Sequence, residues 1–262
     1  MLRSPLTHRS DALAILALAL TTLVFFWKIA LTNLILVGVD IFTYFYPYKA
    51  AVNAALTHGH LPLWNPYLFM GVPLLANSQA GVFYPLNWLF LWLDAPTAVN
   101  YAIVLHVFLG SAFFYLLARD TLRLQPLGAF AAAAVYGFGG FAGAQVEHVN
   151  QLQAAAWYPL LVWIADCGFQ ISDARLKRGQ SAIRNLKSAI ILGGVVVALQ
   201  LLAGHAQVAY IGYVGIGVWS FRAIDWMGIA RGRKFDAWRA ALLTMLKRWL
   251  TFGAMLGIGA AL

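Results

Sequence analysis

The stretch Thr97–Ala118, TAVNYAIVLHVFLGSAFFYLLA, contains 22 residues and no charged side chain. Asp94 and Pro96, just before it, are typical of a helix start. About 20 apolar residues in a helix are enough to cross the hydrocarbon core of a bilayer. Similar apolar runs occur at residues 11–29, 126–145, 152–169, 187–203, 207–221 and from 250 onward. The sequence therefore predicts an all-α fold, a polytopic bundle of about seven transmembrane helices.

The composition supports the same fold class. Of the 262 residues, 62% are hydrophobic and only 10% are charged, whereas an ordinary soluble domain has about 25% charged residues. A soluble protein of this length would need much more polar surface. The run from Leu250 to Leu262 is shorter than a full span. We therefore expect the seventh helix to be truncated and the chain to be the N-terminal part of a longer protein.

The positive charges predict the orientation of this single transmembrane domain, residues 1–262. The net charge is +9, and sixteen of the 18 Lys and Arg residues lie in four groups, at residues 3–9, 119–123, 175–187 and 222–248. When all four groups lie in the cytoplasm, the chain obeys the positive-inside rule. The N-terminus is then cytoplasmic, residues 222–249 form a basic cytoplasmic loop, and the charge requires no nucleic-acid partner.

Residues 30–97, here called the loop segment, become a long extracytoplasmic loop in this threading. Within it, residues 47–58 are predicted to form a helix, since Pro47 suits its first turn and Gly59 its C-terminal cap. Five apolar side chains recur at helical spacing and form one stripe: Tyr48, Ala51, Val52, Ala55 and Leu56. The helix is too short to span, so we expect an amphipathic helix that lies on the membrane surface.

The next part of the loop segment has an unusual composition. Residues 59–88 are GHLPLWNPYLFMGVPLLANSQAGVFYPLNW, rich in Pro, Gly, Asn and Trp. This composition is typical of an ordered, non-helical loop with interfacial aromatic residues. An ordered loop of this length in a compact protein is more often functional than idle.

Asp40 at the exit of the first span, helix 47–58 and this loop motif together resemble the bacterial YfhO family of membrane proteins. The resemblance covers about residues 30–215 and includes Trp157-Tyr-Pro159 and Leu202–Gln207. Such proteins resemble the GT-C glycosyltransferases, which transfer a sugar from a polyprenyl-phosphate carrier outside the membrane. The resemblance implies a place in the bacterial cytoplasmic (inner) membrane, with membrane lipids, the lipid-linked sugar and an extracytoplasmic glycan or polymer acceptor as partners. Family members are several times longer than this chain.

Two carboxylates are the catalytic candidates. Asp40 lies at the depth of a lipid-linked sugar and is predicted to be the general base or a metal ligand; the alternative is an Asp that caps the following turn. Glu147, after the third span, would supply a second acid, and its alternative is a solvated turn. With the outer histidines, these acids are suited to a divalent cation, although no ligand spacing requires one and the cofactor stays unknown.

Further residues are predicted to bind substrate. Lys49 is a cation for the donor phosphate, His148 a proton carrier, and His205 a hydrogen-bonding partner of that phosphate or, alternatively, a turn histidine. The resemblance adds residues of the loop motif and of the later turn, namely His60, Trp64, Asn65, Asn77, Gln79, Tyr84 and Gln207. The alternative for His60 is a solvated loop residue.

Two other functions stay open. A transporter or a lipid-carrier flippase usually places ionisable residues near the bilayer midplane. After the first span, the chain has only His106 at that depth, and its polar residues collect on one side, which favours interfacial chemistry. An inactive structural membrane subunit is also compatible with the short chain.

Overall fold

The computed structural model describes residues 9–173, 180–223 and 234–262, and most of them are helical. The α-helices are α1 Arg9–Phe25, α2 Trp27–Leu31, α3 Tyr46–Thr57, α4 Pro85–Trp88, α5 Ala95–Asp120, α6 Pro126–Phe138, α7 Gly140–Ala144, α8 Val149–Ala156, α9 Tyr158–Asp173, α10 Gln180–Leu202, α11 Ala206–Ser220 and α12 Lys234–Ala261. A π-helical turn covers Ile41–Phe45, and 3₁₀ turns cover Ser78–Ala80 and Phe221–Ala223. In the described ranges, the sheet structure is limited to one antiparallel hairpin, β1 Trp64–Asn65 and β2 Val72–Pro73. The prediction of a mainly helical fold is confirmed.

Four helices of the described part are long and apolar enough to cross a membrane, namely Ala95–Asp120, Pro126–Ala144, Asn185–Leu202 and Arg239–Ala261. The first three coincide with predicted spans, which supports a membrane protein. The fourth, of 23 residues, begins well before the span predicted from residue 250, so the expectation of a truncated helix there is wrong. The count of seven spans is not confirmed. The other three apolar runs contain the shorter helices α1, α9 and α11, of 17, 16 and 15 residues.

The break between α8 and α9 has a local cause. Pro159 has no N–H to donate to the carbonyl of Ala155, four residues earlier. That carbonyl accepts a hydrogen bond of 2.8 Å from the Tyr136 hydroxyl on α6. The predicted span at 152–169 is therefore divided between two helices that meet at Trp157.

Helix α5 is the centre of the bundle. It packs against α1, α6, α8 and α9, while α9 also packs against α10 and α12. Ile103 and Tyr115 on α5 are completely buried. Where α5 meets α6, the Ser111 side chain occupies the space that a Cβ at Gly137 would need, so the glycine permits the close approach of the two helices.

Three buried or half-buried aspartates meet arginines at the end of the bundle away from the loop segment. The pairs are Asp11–Arg119, Asp166–Arg222 and Asp173–Arg248. The loop segment enters α5 at its first residue, and Arg119 lies at its last turn. Since α5 has 26 residues, about 39 Å of helix separates the two ends.

The prediction of a basic loop at 222–249 is wrong for its described second half, because α12 begins at Lys234. Arg248 is only 4% exposed. Its Nε donates to Asp173 Oδ2 at 2.8 Å, and its Nη1 donates to the Ser220 carbonyl at 2.7 Å. The arginine charge is thus neutralised inside the fold and needs no solvated loop.

Helix α3, Tyr46–Thr57, confirms the helix predicted at 47–58. Its apolar stripe has a different partner from the one expected. Tyr48 and Val52 are buried against Leu74 of the loop segment, so this face does not lie free for lipid. The rest of the loop segment folds back over α3, which the spacing of apolar residues alone does not reveal.

The hairpin exposes its turn, residues Tyr67–Met70, here called the hairpin tip. Phe69 and Met70 have φ values of 47° and 65°. Left-handed backbone of this kind costs roughly 1–2 kcal/mol for each residue that carries a Cβ. The Asn65 side chain holds the turn by accepting a hydrogen bond of 3.0 Å from the Tyr67 N–H.

Candidate functional site

Asp40 lies where the extended backbone after α2 enters the π-helical turn. Its carboxylate makes no hydrogen bond to the start of that turn, so the geometry does not support the alternative of a capping Asp. Instead, Asp40 Oδ2 lies 3.2 Å from His148 Nε2, and both side chains are about half exposed. A carboxylate and an imidazole at this distance can share a proton and pass it to or from a bound molecule.

Glu147 is exposed and packs against the same stretch of backbone. A Cβ added at Gly38 would lie 2.7 Å from Glu147 Oε2. Glycine therefore allows the close approach of this carboxylate to the chain. The two predicted acids, Asp40 and Glu147, are both placed beside the short stretch 38–40.

His205 begins α11, and its Nδ1 accepts a hydrogen bond of 3.2 Å from the Val208 N–H. The neutral ring then carries its proton on Nε2. Burial lowers the pKa of His205 below its ordinary value, and the nearby His148 lowers this pKa further. The geometry is therefore compatible with both interpretations of His205. Its Nδ1 caps the helix, as expected for a turn histidine, and its Nε2–H stays available to a bound group.

Gly204 connects this turn to the loop segment. Its φ is 88°, and a Cβ there would overlap the carbonyl oxygen of Ser78. The adjacent Gln79 accepts a hydrogen bond of 3.3 Å from Asn150 Nδ2 at the start of α8. The Asn77 side-chain oxygen accepts a hydrogen bond of 3.1 Å from the Gln79 N–H. Three separate parts of the chain meet here, namely the loop segment, the start of α8 and the turn before α11.

Lys49 lies inside the fold rather than on an open surface. It is 8% exposed, and its Nζ donates to the Asn87 carbonyl at 3.1 Å. Burial lowers the pKa of Lys49 to about 8. Among the residues with described side chains, no Asp or Glu forms an ion pair with it. A buried ammonium without an anionic partner is unfavourable, so it demands an explanation.

A small polar cavity adjoins Lys49. It has a volume of about 30 Å³ and is lined in part by the amides of Gln79, Asn87, Asn150 and Gln153. Gln153 Nε2 donates to Asn87 Oδ1 at 2.9 Å. A cavity of this size with polar walls has room for a bound water molecule.

Tyr84 is completely buried, below the surface where the acids lie. Its hydroxyl accepts the Trp157 indole N–H at 2.7 Å and lies 2.6 Å from His106 Nε2. His106 Nδ1 is 2.6 Å from the Ala102 carbonyl. A carbonyl only accepts, so Nδ1 is the donor there and the neutral ring receives the tyrosine proton on Nε2. Tyr84 thus attaches the loop segment to α5 and to the junction of α8 and α9.

The remaining predicted residues lie apart from this cluster. Trp64 and Asn65 form β1, and His60 is exposed before it. The Asn65 side chain serves the hairpin turn, as described above. Gln207 is exposed in the first turn of α11. The structure thus brings Asp40, Gln79, Glu147, His148 and His205 toward one region and gives the hairpin residues local roles.

The sequence prediction missed the buried amides beside Lys49. Asn150 and Gln153 are each 3% exposed and lie three residues apart, so they share one face of α8. This spacing in VNQLQAAA was the available signal. Asn87 lies within the loop motif, and its sequence context predicts no role for it.

The charge environment separates this cluster from the opposite end of the bundle. The aspartates at that end are paired with arginine, as described above. Among the described side chains, Asp40 forms an ion pair with a histidine and with no Lys or Arg. Within the same set, Glu147 forms no ion pair with Lys or Arg. Within the same residues, no three His, Cys, Asp or Glu side chains converge as a metal site.

Comparison of the chain with protein-family models, with curated proteins and with solved structures finds no match.

Proposed function

We propose that this protein is a GT-C-like membrane glycosyltransferase, or the N-terminal part of one, in the bacterial cytoplasmic membrane. It moves a sugar from a polyprenyl-phosphate carrier to an extracytoplasmic cell-envelope acceptor. The proposal rests chiefly on the Asp40–His148 pair, in which a half-exposed carboxylate has a histidine, and no Lys or Arg, as its ion-pair partner among the described side chains. The resemblance to the YfhO family and the four apolar helices also support it.

The proposed reaction uses this pair as the base. The acceptor hydroxyl attacks the anomeric carbon of the sugar, and Asp40 receives the hydroxyl proton directly or through His148. The bond between the anomeric carbon and the phosphate oxygen breaks, and its electron pair leaves with the polyprenyl phosphate. Glu147 orients the acceptor, while the Lys49 charge and the His205 Nε2–H favour the anionic leaving group.

A transporter or flippase is less well supported. Both ring nitrogens of His106, the ionisable residue predicted near the midplane, are already engaged with Tyr84 and Ala102. A coupling residue has to exchange its proton with the pathway, and His106 is 1% exposed. An inactive subunit would show neither sugar transfer nor flux.

The test is Asp40→Asn in membranes supplied with polyprenyl-phosphate-linked sugars, with transfer of labelled sugar to the envelope fraction as the readout. Removing a general base should lower the rate at least about 10²-fold. The matched control is Asp94→Asn, because Asp94 accepts from the Thr97 N–H at the start of α5 and Asn caps about as well. A fully active Asp40→Asn protein would refute the role of Asp40. Vectorial flux without transfer in proteoliposomes would favour the transporter.

A further inference from the structure

The hairpin tip is the most exposed apolar surface of the loop segment. Tyr67, Phe69 and Met70 are 92%, 86% and 102% exposed. Three neighbouring large apolar side chains so fully exposed are unusual on a surface that faces only water. Their exposure indicates an apolar partner.

The surroundings of the tip show what kind of partner fits. Residues 61–93 contain no charged side chain. The loop segment also exposes three tryptophans, namely Trp64, Trp88 and Trp92. Tryptophan is enriched where a protein passes from lipid to water. A surface without charge offers nothing to an acidic or basic partner, whereas a bilayer interior requires that charges be absent.

The tip is also built to hold its side chains outward. Gly71, with φ of 117°, lets the Trp64 ring pack against its Cα, where a Cβ would lie 2.5 Å from Trp64 Nε1. The Leu68 carbonyl accepts the Gly71 N–H at 2.7 Å. Together with the strained φ values of Phe69 and Met70, these contacts define a rigid turn rather than a collapsed one.

We propose that the hairpin tip inserts into the apolar part of the membrane leaflet next to the loop segment, with the three tryptophans at the interface. The partner of the hairpin tip is lipid. The protein carries apolar helices long enough to cross a bilayer, so acyl chains are already next to it. Insertion is driven by burial of the apolar side chains alone. It therefore needs no anionic lipid, unlike the membrane binding of a basic amphipathic helix. This inference concerns membrane contact and does not depend on the proposed sugar transfer.

The first test uses a spin label at Met70→Cys in a Cys167→Ala background, since Cys167 is the only other cysteine. The protein is reconstituted in phosphatidylcholine vesicles with and without phosphatidylglycerol. We expect the label to be reached by oxygen and shielded from an aqueous nickel chelate, equally in both vesicles and at high salt. The control label at the exposed His58 should show a several-fold lower ratio of oxygen to nickel accessibility.

A label at Met70 that is as accessible to the nickel chelate as His58 would overturn the proposal. Spin–spin broadening that increases with protein density would overturn it in favour of a second copy. A second variant distinguishes a loss of insertion from misfolding of the turn. Phe69→Gly with Met70→Gly accepts the positive φ values without strain, so the turn should form, and a label at Tyr67→Cys should then lose most of its shielding. Retained shielding would also contradict lipid insertion.

Discussion

Replacing Lys49 with Met should make the protein more stable at neutral pH. Burial lowers the pKa of Lys49 from 10.5 to about 8, and each pKa unit corresponds to about 1.4 kcal/mol. The buried ammonium therefore opposes folding by about 3 kcal/mol at pH 7. Met fills a similar volume but loses the hydrogen bond to the Asn87 carbonyl, worth about 1 kcal/mol. In the variant, the Asn87 carbonyl still accepts the hydrogen bond of 3.3 Å from the Phe90 N–H. The net gain should be about 2 kcal/mol.

The effect of Lys49→Met on stability should depend on pH, because the pKa of Lys49 differs between the folded and unfolded protein. Between pH 8 and 10.5 the unfolded chain holds more protons at Lys49 than the folded protein, so the wild-type protein gains stability as the pH rises. The advantage of Lys49→Met should therefore shrink across this window and turn into a disadvantage of about 1 kcal/mol above it, where the neutral amine keeps its hydrogen bond.

The assay is unfolding in mixed detergent micelles at pH 7, 9 and 10.5, followed by circular dichroism. Lys28→Met is the matched control, since Lys28 is exposed and its replacement should change stability by no more than about 0.5 kcal/mol. A Lys49→Met protein that is less stable than wild type at pH 7 would refute the reasoning and show that the ammonium is well solvated or paired.

Three further outcomes are expected. Tyr84→Phe leaves the Trp157 N–H without its acceptor and should lower the free energy of unfolding by about 1–3 kcal/mol, whereas unchanged stability would mean that the loop segment is held elsewhere. Gly204→Ala should reduce folding yield, because the new Cβ overlaps the Ser78 carbonyl; a normal yield would contradict that contact. Impermeant thiol reagents applied outside intact cells should label cysteines at His58 and Glu147 but not at Arg178, which lies outside the described residues, or Lys234, and the reverse pattern would sink the proposed orientation.

Local features were predictable from the sequence, and contacts between distant residues were not. The start of α5 follows from Asp94 and Pro96, and Asp94 does cap the helix. Helix α3 follows from Pro47 and the helical spacing of its apolar residues. These signals act within one or two turns of chain.

The candidate site shows the opposite case. The sequence identified Asp40 and His148 separately, but nothing in their neighbours predicts that Oδ2 and Nε2 lie 3.2 Å apart. The same holds for Arg248, whose partner Asp173 lies on another helix. A charge pattern indicates which side of a membrane a segment prefers. It does not indicate which residue neutralises which.

The hydrogen-bond chain at His106 has a consequence for the energetics of the membrane. Buried polar side chains inside apolar helices can become proton conductors, which would let protons cross the bilayer. Here the chain runs from the Trp157 N–H through Tyr84 and His106 and ends on the Ala102 carbonyl. An indole releases no proton at one end, and the carbonyl, which lies within α5, accepts none for onward transfer at the other. The protein thus fastens its loop segment with polar contacts while keeping this route closed to proton leakage.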